Sequence, residues 1–413
     1  MYVIKKNNSF TLIELLIVIG ILAILTVAVV IILNPGELLK EARDSSRMSD
    51  LASIDKAVQL LLSQNPSVNL GTASTVYVSL PDTSTTCSNL GLPTLPSGYT
   101  YHCVTATNQT LINGTGWIPV DLTSSNIQNM AHLPIDPSNN YSSSTMLYYT
   151  YEANPANNTF ETTAMMESSK YRIGGPQDVE STDGGTTSYL YEKGSDLTLN
   201  PINDTGLVGY WTFDEGSGTT IYDKSGSSYN GTLINSYIWQ GSNNCKVGGC
   251  LTFNGTNTYV STSGFLLPTI GAVTISLWAN SNMIPSPCCS MPVSYGGSGY
   301  YWYISRDNNN TWRVSWMDGG SIQRSIYNPA PVNSGQWYYL TFVNNGTTQL
   351  FYVNAIASPQ TAYAGFGGSG LKIVMGGYTS AGGYPFGGDV DDVRIYNRAL
   401  SPAEVLALYN ATK

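Results

Sequence analysis

The chain has 413 residues, of which only 11% are charged, and its 18 basic and 27 acidic residues give a formal net charge of −9. This length predicts two or three folded units rather than a single core. The acidic balance argues against sequence-independent binding to nucleic acid, which requires a basic surface. The abundance of glycine and tyrosine suits an exposed, β-rich protein better than a cytosolic enzyme.

The first predicted element is an apolar run that contains a single charged residue. From Phe10 to Leu33 there are twenty-four residues with no charge except Glu14, enough for a helix of about 36 Å that spans a bilayer. Lys5 and Lys6 precede the run and keep that end in the cytoplasm, so the rest of the chain is expected outside. A carboxylate in such a segment is costly, and it predicts a functional residue with a cationic partner.

The residues around this acid, SFTLIE from Ser9 onward, resemble the class III leader of type IV pilins and type II secretion pseudopilins. The resemblance implies a leader of residues 1–9, cleavage between Ser9 and Phe10 by a prepilin peptidase, and N-methylation of Phe10. Ser9 replaces the family's usual glycine. The resemblance also implies that Glu14 meets the N-terminal amine of the neighbouring subunit during filament assembly, so that each charge offsets the other's burial cost. The alternative is a plain signal anchor with a chance acid.

Residues 34–63 are expected to continue the transmembrane and assembly helix of residues 10–33 after an interruption. Pro35 removes a backbone donor and Gly36 adds conformational freedom. This break is either a stretch that loosens in the filament, as in pilin-like helices, or only a kink at the membrane exit. Beyond it, apolar residues at spacings of three and four predict one face that lies on a sheet, namely Leu51, Ile54, Val58 and Leu61.

Residues 64–200 change to short alternating runs that predict a β-rich head. The runs are TVYVSL at 75–80, YTYHCVTA at 99–106, GWIPVDL at 116–122, MLYYTYEA at 146–153, TFETTAMME at 159–167 and SYLYEKG at 188–194. A long helix followed by an antiparallel sheet resembles the α+β module of pilins. Asp178, Glu180 and Asp183 are either ligands in a calcium loop like that of some pseudopilin heads or part of a solvated loop.

A linker of residues 201–206 precedes a second β-rich unit at 207–413, where short alternating runs predict an antiparallel sandwich. In their order and their amino-acid sequence, the runs resemble the laminin G-like, concanavalin A-type jelly roll. The runs that carry this resemblance include LVGYWTFDEGSG, GGCLTFNGTNTYV, AVTISLWA, GQWYYLTFVNNGTTQLFYVN and GGDVDDVRIYNRALSPAEVLALYN. The fold class expected for the chain is therefore an α+β pilin module followed by an all-β jelly-roll sandwich.

Jelly rolls of this kind include carbohydrate binders and glucanases, and the acidic residues of this chain favour a binder. A glucanase needs two carboxylates that flank the scissile bond, typically as Glu-x-Asp-x-x-Glu on one strand face. That motif is absent from the sequence, and the nearest acidic cluster, at 389–392, contains no glutamate. The two histidines lie in no nucleophilic motif, so we predict that the protein is not an enzyme.

The resemblance also implies a structural calcium ion between the first and last strands of the jelly roll, held by carboxylate and carbonyl oxygens. The candidate side-chain ligands are Asp214 and Asp392, joined by Glu215 or Asp389. The alternative is that Asp392 solvates a strand edge or pairs with Arg394 or Arg398.

Residues 295–320 hold more aromatic side chains than one core face requires. Sugar rings stack on aromatic faces while polar side chains bond their hydroxyls, so this segment predicts a glycan or protein contact. The candidate contact residues are Tyr300, Tyr301, Trp302, Asp307, Trp312 and Trp316. The alternative is a strand pair whose alternate aromatics face the core, where Trp211, Trp278 and Trp337 are expected in any case.

The six cysteines fall in local groups without zinc spacing, which favours disulfides in an oxidising compartment. The short-loop pairs are Cys87 with Cys103 and Cys245 with Cys250. The vicinal Cys288 and Cys289 form a strained ring, pair elsewhere or stay free, and the sequence leaves all three open.

These expectations describe a pilin-like filament subunit that displays a lectin-like domain for adhesion to glycans or surface proteins. About two hundred extra residues at every subunit would crowd a filament, which favours a minor, tip-located subunit, although flexible linkage at 203–206 would relieve the crowding. The rival prediction is a structural subunit whose jelly roll coats the fibre or contacts neighbouring subunits without a ligand.

The expected partners are other pilin subunits, the prepilin peptidase and methyltransferase, the membrane before assembly, and a glycan or surface protein. The precursor is expected in the cytoplasmic membrane, and the mature subunit on a cell-surface or extracellular filament.

Overall fold

The structure, a computed structural model, describes residues 12–96, 98–123, 130–142, 145–262, 264, 271–283, 289–296, 300–317, 322–358, 372–377 and 384–413. A helical stem comes first, followed by a small sheet and then by a β-sandwich. The predicted fold class, a helix-led module followed by a sandwich, is confirmed. Ser9 and Phe10 lie outside the described residues.

The stem consists of helix α1, Leu12–Leu33, and helix α2, Pro35–Gln64. Asn34 between them has a φ of 38°, a left-handed conformation that interrupts the helical hydrogen bonding at the predicted place. Pro35 follows at a helix start, where its missing N–H would have no intrahelical partner. Counted over the described residues alone, no helix is long and apolar enough to cross a membrane. Membrane insertion of residues 10–33 stays a prediction.

Helix α2 buries one stripe of side chains against the head, as the spacing of its apolar residues predicts. Each member of this stripe is at most 2% exposed, and all belong to one cluster with the head: Leu51, Ile54, Ala57, Val58 and Leu61.

Seven strands form the head within the described ranges. They are β1 Thr75–Pro81, β2 Thr100–Val104, β3 Asn140–Ser142, β4 Thr145–Leu147, β5 Thr150–Asn154, β6 Thr159–Ala164 and β7 Tyr191–Gly194. One five-stranded sheet has the order β2-β1-β5-β6-β7, and β3 pairs with β4 alone. The pairing of β1 with β2 is parallel and the other pairs are antiparallel, so the sheet is mixed at one edge rather than fully antiparallel.

The run at 116–122 was predicted to be a strand, and that prediction is wrong. In the described structure it makes only an isolated bridge, between Asp121 and Asn113. Its apolar side chains instead pack in the core beneath α2, where Trp117 and Ile118 are at most 1% exposed. Burial, rather than strand pairing, accounts for the apolar pattern of this run.

Sixteen further strands and one helix lie in the described part of the second unit. The strands are β8 Leu207–Trp211, β9 Thr220–Ile221, β10 Gly231–Ile234, β11 Ile238–Gln240, β12 Cys250–Asn254, β13 Tyr259–Thr262, β14 Val273–Ser281, β15 Ser290–Gly296, β16 Tyr300–Arg306, β17 Thr311–Met317, β18 Gln323–Pro331, β19 Trp337–Asn344, β20 Gln349–Val353, β21 Ile356–Ala357, β22 Lys372–Met375 and β23 Gly387–Tyr396. Helix α3 spans Pro402–Thr412.

These strands form two eight-stranded sheets. One has the order β18-β17-β16-β15-β22-β13-β10-β9, and the other runs β11-β12-β23-β14-β19-β20-β21, with β8 also paired to β23. The main core lies between them and contains side chains of both sheets. For example, the Trp316 ring of one sheet stacks on the Phe342 ring of the other, with 5.6 Å between centroids.

Helix α3 packs the sandwich against the head. Because side chains alternate along a strand, Tyr77 of β1 joins the cluster beneath α2, whereas Val76 and Val78 join a second cluster with α3. The head sheet therefore lies between α2 on one face and α3 on the other. A capping box of Ser401 and Glu404 begins α3.

The predicted linker, residues 201–206, is held by the elements on both sides. Ile202 is 3% exposed. Asp204 accepts hydrogen bonds from Ser188 Oγ of the head at 2.6 Å and from Tyr396 of β23 at 2.7 Å. Arg398 Nη2 donates to the Asn203 carbonyl at 2.7 Å. These contacts differ from the flexible linkage that the sequence suggested.

The disulfides Cys87–Cys103 and Cys245–Cys250 are formed, as predicted. Cys289 is also disulfide-bonded, whereas Cys288 lies outside the described residues.

Candidate functional site

The residues predicted for assembly lie at the start of the stem. Glu14 lies in the first turn of α1 and is exposed. Its carboxylate is therefore accessible to a neighbouring subunit. Ser9 and Phe10 precede the described residues, so cleavage and methylation at that site stay predictions.

A buried ion network joins the stem to the head. Arg47 of α2 is 0% exposed, and its guanidinium lies 2.6 Å from Asp136, 2.7 Å from Asp44 and 2.7 Å from Glu167. Burial disfavours the charged guanidinium, but the hydrogen bonds and charges of Asp136 and Glu167 outweigh burial and raise the pKa of Arg47. The sequence gives no sign of this network, because Asp44 and Arg47 at i, i+3 have the spacing of an ordinary solvated pair.

The four predicted calcium ligands belong to separate interactions. Asp214 accepts from the Gly249 N–H and Glu215 from the Tyr222 N–H. Asp389 accepts from Thr252 and Asn280, and Asp392 pairs with Arg394 at 3.2 Å. The ion pair of Asp392 with Arg394 is the arrangement predicted as the alternative to calcium binding.

Within the described ranges, no group of three or more His, Cys, Asp or Glu residues is arranged to hold a metal ion. The candidate carboxylates therefore do not form a ready ligand set. A bound calcium ion stays a prediction.

The acids of the predicted head loop are likewise engaged in local interactions. Asp178 accepts from the N–H groups of Gly174 and Ser181, and Asp183 accepts from those of Gly185 and Glu192. Glu180 departs most from the solvated-loop prediction, since it is 0% exposed and accepts two backbone hydrogen bonds. Its burial raises its pKa well above the usual range.

The structure places the predicted ligand-binding tryptophans in the core. Trp302, Trp312 and Trp316 are 0%, 1% and 0% exposed and point between the two sheets. Asp307 is also buried and accepts the N–H groups of Asn309 and Thr311 in the β16–β17 turn. These four residues offer no surface to a ligand here, which corrects the prediction. The side chains of Tyr300 and Tyr301 lie outside the described set.

The opposite face of the same strands carries a different set of polar and aromatic groups. Since Trp302 and Ile304 point into the core between the sheets, Tyr303 and Ser305 lie on the opposite face of the sheet. Tyr303 is itself only 2% exposed there, because it packs with Cys289 and Met291. Arg313 of β17 is paired in register with Ser305 of β16 and Tyr327 of β18. We name Tyr303, Arg313, Gln323 and Tyr327 the outer-face patch.

The guanidinium of Arg313 lies between two tyrosine rings of the outer-face patch. It is 5.6 Å from the Tyr303 ring centroid and 5.8 Å from that of Tyr327, and it donates to both hydroxyls at 3.2 Å. Gln323 donates to the Tyr303 hydroxyl at 2.7 Å. The geometry holds Tyr327, which is 46% exposed, in a fixed position, so its ring is available to stack on a ligand.

The tryptophans predicted to contact a ligand lie on the inner face of the β16–β17 hairpin, and the outer-face patch lies on the opposite face of the same sheet. Both phases of YYWYISR contain aromatic residues, so alternation alone does not tell which face is buried. The larger tryptophan rings take the core because they bury more apolar area. This difference in ring size is the feature of the sequence that indicates Trp302 in the core and Tyr303 on the opposite face of the sheet.

Two family models match the chain. Residues 4–30 match the prokaryotic N-terminal methylation motif, and residues 254–406 match the concanavalin A-like lectin/glucanases superfamily. The chain thus joins a pilin-type N-terminal motif to a lectin-like jelly roll. Both resemblances predicted from the sequence are confirmed. The methylation motif indicates a precursor that is processed for a surface filament. None of the curated proteins compared matches the chain.

Solved structures with a similar fold include carbohydrate-active enzymes and toxin domains. Domain 4 of AbnA, a GH43 extracellular arabinanase from Geobacillus stearothermophilus solved with arabinotriose, is 19% identical with a TM-score of 0.40, over 50% of this chain and 98% of that chain. The binding domain of Paraclostridial Mosquitocidal Protein 1 is 17% identical with a TM-score of 0.42, over 50% and 52%. The Trypanosoma rangeli sialidase is 16% identical with a TM-score of 0.39, over 51% and 33%.

This chain thus spans about half the length of the toxin domain and a third of the sialidase.

Proposed function

We propose that the protein is a minor, tip-located subunit of a pilin-like filament, which displays its jelly roll for adhesion to glycans or surface proteins. The observation that carries the proposal is the packed junction between head and sandwich. An adhesive domain has to transmit force from its ligand to the filament, and a packed junction does so in one orientation.

Apolar burial supplies most of this junction. Val78 and Tyr148 of the head share a cluster with Leu406 and Leu408 of α3, and all four are at most 5% exposed. Each fully buried side chain of this size stabilises the contact by about 1.5–3 kcal/mol. Together with the hydrogen bonds of Asp204, these contacts hold the sandwich on the stem-bearing head.

A fixed sandwich also supports a minor, tip-located position. Since residues 201–206 are held on both sides, the jelly roll cannot swing aside to make room for a copy on every neighbouring subunit. At the tip, only one face of the subunit meets the filament, so the extra domain is accommodated there.

The outer-face patch supports adhesion. Stacking surfaces and fixed polar groups together are typical of saccharide sites, and Tyr327 supplies an exposed ring beside the Arg313 guanidinium. We infer binding without catalysis, because the sequence lacks the carboxylate pattern of glucanases.

The test of adhesion is binding of the full-length chain, solubilised in detergent, to a panel of glycans and cell-surface proteins. Tyr327→Ala is expected to weaken binding by about tenfold, as for loss of one stacking contact. Tyr222→Ala is the matched control, since Tyr222 is a similarly exposed tyrosine of the sandwich, at 50%, outside the outer-face patch. Absence of any specific binding would contradict adhesion and favour the rival, a coat subunit without a ligand.

The test of position is immunogold labelling of isolated filaments. Labelling confined to filament ends is expected. Labelling along the whole filament, at every subunit, would overturn the tip assignment while leaving adhesion to be judged by the binding panel.

A further inference from the structure

The tripeptide Asn-Gly-Thr occurs four times in the chain. It begins at Asn113 in the head and at Asn230, Asn254 and Asn345 in the sandwich. Asn-x-Thr is an acceptor motif for N-linked glycosylation of exported proteins, and it requires an exposed position. All four asparagines are exposed. Because motif and exposure are the same at all four, local geometry has to show which asparagine is suited to modification.

Asn113 and Asn345 share one hydrogen-bonding arrangement. The Thr115 hydroxyl donates to Asn113 Oδ1 at 2.6 Å, and the Thr347 hydroxyl donates to Asn345 Oδ1 at 3.0 Å. In each case the same oxygen also accepts the threonine N–H, at 3.2 Å and 3.0 Å. Each carboxamide oxygen is thus held by the residue two positions later.

The glycine between asparagine and threonine makes this arrangement possible. Gly114 and Gly346 have φ values of +81° and +92°, which glycine adopts at no steric cost. Gly346 lies in the turn from β19 to β20. Among the described residues, no atom beyond its chain neighbours lies within 4 Å of the position that a Cβ would take there. The turn at Asn345 is therefore open to a large modifying enzyme.

The amide nitrogens of these two asparagines are left available. Within the described part of the chain, every side-chain hydrogen bond of Asn113 and Asn345 is made through Oδ1. Stabilisation of a turn by asparagine needs only that oxygen. The turn therefore accounts for Oδ1 and leaves Nδ2, the atom to which N-linked glycans are attached, exposed on the other side of the carboxamide.

The other two Asn-Gly-Thr tripeptides are arranged differently. Asn254 Nδ2 donates to Asn257 Oδ1 at 2.9 Å, and the Thr256 hydroxyl bonds the same Asn257 oxygen, at 3.3 Å. Asn230 Oδ1 instead accepts the Asp223 N–H at 2.9 Å. These two sites have the same motif and similar exposure without the hydroxyl contact, so the chain contains its own matched controls.

Two properties of the whole chain suit such a modification. Both the head and the sandwich contain a disulfide, which is typical of exported proteins. Only 11% of the residues are charged, against about 25% in an ordinary soluble domain. Attached saccharides hydrate a surface without adding charge.

We propose that Asn113 and Asn345 are N-glycosylation sites, modified by an oligosaccharyltransferase that acts on the folded, exported chain. In this transfer Nδ2 forms a bond to C1 of a sugar carried by a lipid-linked oligosaccharide. The bond from C1 to the phosphate oxygen of that donor breaks, the lipid phosphate leaves as an anion, and one Nδ2 proton passes to a base of the transferase. Thr115 and Thr347 are positioning residues, because their hydroxyls hold the carboxamides. The proposal goes beyond adhesion and does not depend on it.

The experiment is glycopeptide mapping by mass spectrometry on the full-length chain recovered from the membranes and filaments of its own cells. Peptides that contain Asn113 and Asn345 are expected to carry the mass of whole saccharide units, localised to the asparagine by electron-transfer fragmentation. Peptides that contain Asn230 and Asn254 are expected to be unmodified. Absence of saccharide from both Asn113 and Asn345 would refute the proposal, and absence from one of them would remove that site.

Two kinds of variant separate the geometry from the motif. Thr347→Val, which lacks the hydroxyl, is expected to lower occupancy of Asn345 by about tenfold or more, and Thr347→Ser, which keeps a hydroxyl, is expected to retain it. Gly346→Val keeps the Asn-x-Thr motif, but a β-branched residue disfavours the left-handed turn. It is therefore expected to lower occupancy of Asn345 as well, while Asn113 in the same molecule is unchanged.

Thermal unfolding of each variant, expected to be unchanged, shows that the fold is kept. Full occupancy of Asn345 in Gly346→Val would overturn the claim that the turn selects the site. Equal occupancy of all four Asn-Gly-Thr asparagines in the wild type would overturn it too.

Discussion

Replacing Arg47 by methionine tests the attachment of the stem to the head. Arg47→Met keeps a long apolar side chain in α2 but removes the only cation that Asp136 contacts among the described ion pairs. Asp44, also fully buried, loses its ion pair as well. Buried carboxylates without a compensating charge are strongly destabilising.

The size of the effect follows from what the carboxylates retain. Asp44 still accepts the N–H groups of Glu167 and Ser168, and Asp136 still accepts those of Ser138 and Asn139. The loss is therefore one of charge compensation rather than of every hydrogen bond. Breaking a buried pair costs about 3–5 kcal/mol, and these retained bonds place Arg47→Met near 3 kcal/mol. That is a large share of the ~5–15 kcal/mol of a typical domain.

Arg43 provides the matched control one turn earlier on the same helix. It bonds Glu167 through two nitrogens at 2.7 and 2.9 Å, but its side chain is 33% exposed. Solvent screens such a pair, so Arg43→Met is expected to cost about 1 kcal/mol or less.

Hydrogen exchange of the full-length chain in detergent, followed by mass spectrometry, separates the two variants. Peptides from α2 and from β5 should exchange about a hundredfold faster in Arg47→Met, since ~3 kcal/mol corresponds to roughly two powers of ten. Peptides from β17, in the sandwich core, serve as the internal reference. Equal acceleration in the Arg43 and Arg47 variants would refute the claim that the buried charge network anchors the stem.

Two further predictions concern acids. Burial, with the hydrogen bond and charge of Glu161, raises the pKa of Glu192 to about 10 from 4.5. Because the pKa is higher in the folded state than in the unfolded state, the protonated Glu192 contributes its full stabilisation below pH 4.5. That stabilisation is lost as the pH rises. Between pH 4.5 and 7 the head should lose about 3 kcal/mol, and Glu192→Gln should remove that loss; equal slopes of denaturation midpoint against pH in both proteins would contradict this. Glu14→Gln should still be cleaved before Phe10 but be poorly recovered in sheared filaments on immunoblots, and normal recovery would rule out the assembly role.

Local patterns in the sequence were enough for several features. The stripe from Leu51 to Leu61 follows from spacing within one helix, and the Cys245–Cys250 disulfide follows from a short loop. The break at Asn34 follows from Pro35 and Gly36. Each depends on residues close together in the chain, so no knowledge of the remaining structure is needed.

The tertiary structure alone decided features that depend on distant partners. Alternation along β16 allows either set of alternate side chains to face the core. The opposing sheet decides between them, because Phe342 packs against Trp316 and leaves Tyr303 on the other face. The helical spacing does not show that Arg47 is buried, because its partner Asp136 lies 89 residues later in the chain. Helix α3 likewise meets the head sheet only because distant parts of the chain pack together. The sequence by itself thus determined the modules and their local elements, while contacts between distant segments decided which side chains those modules bury and which they present.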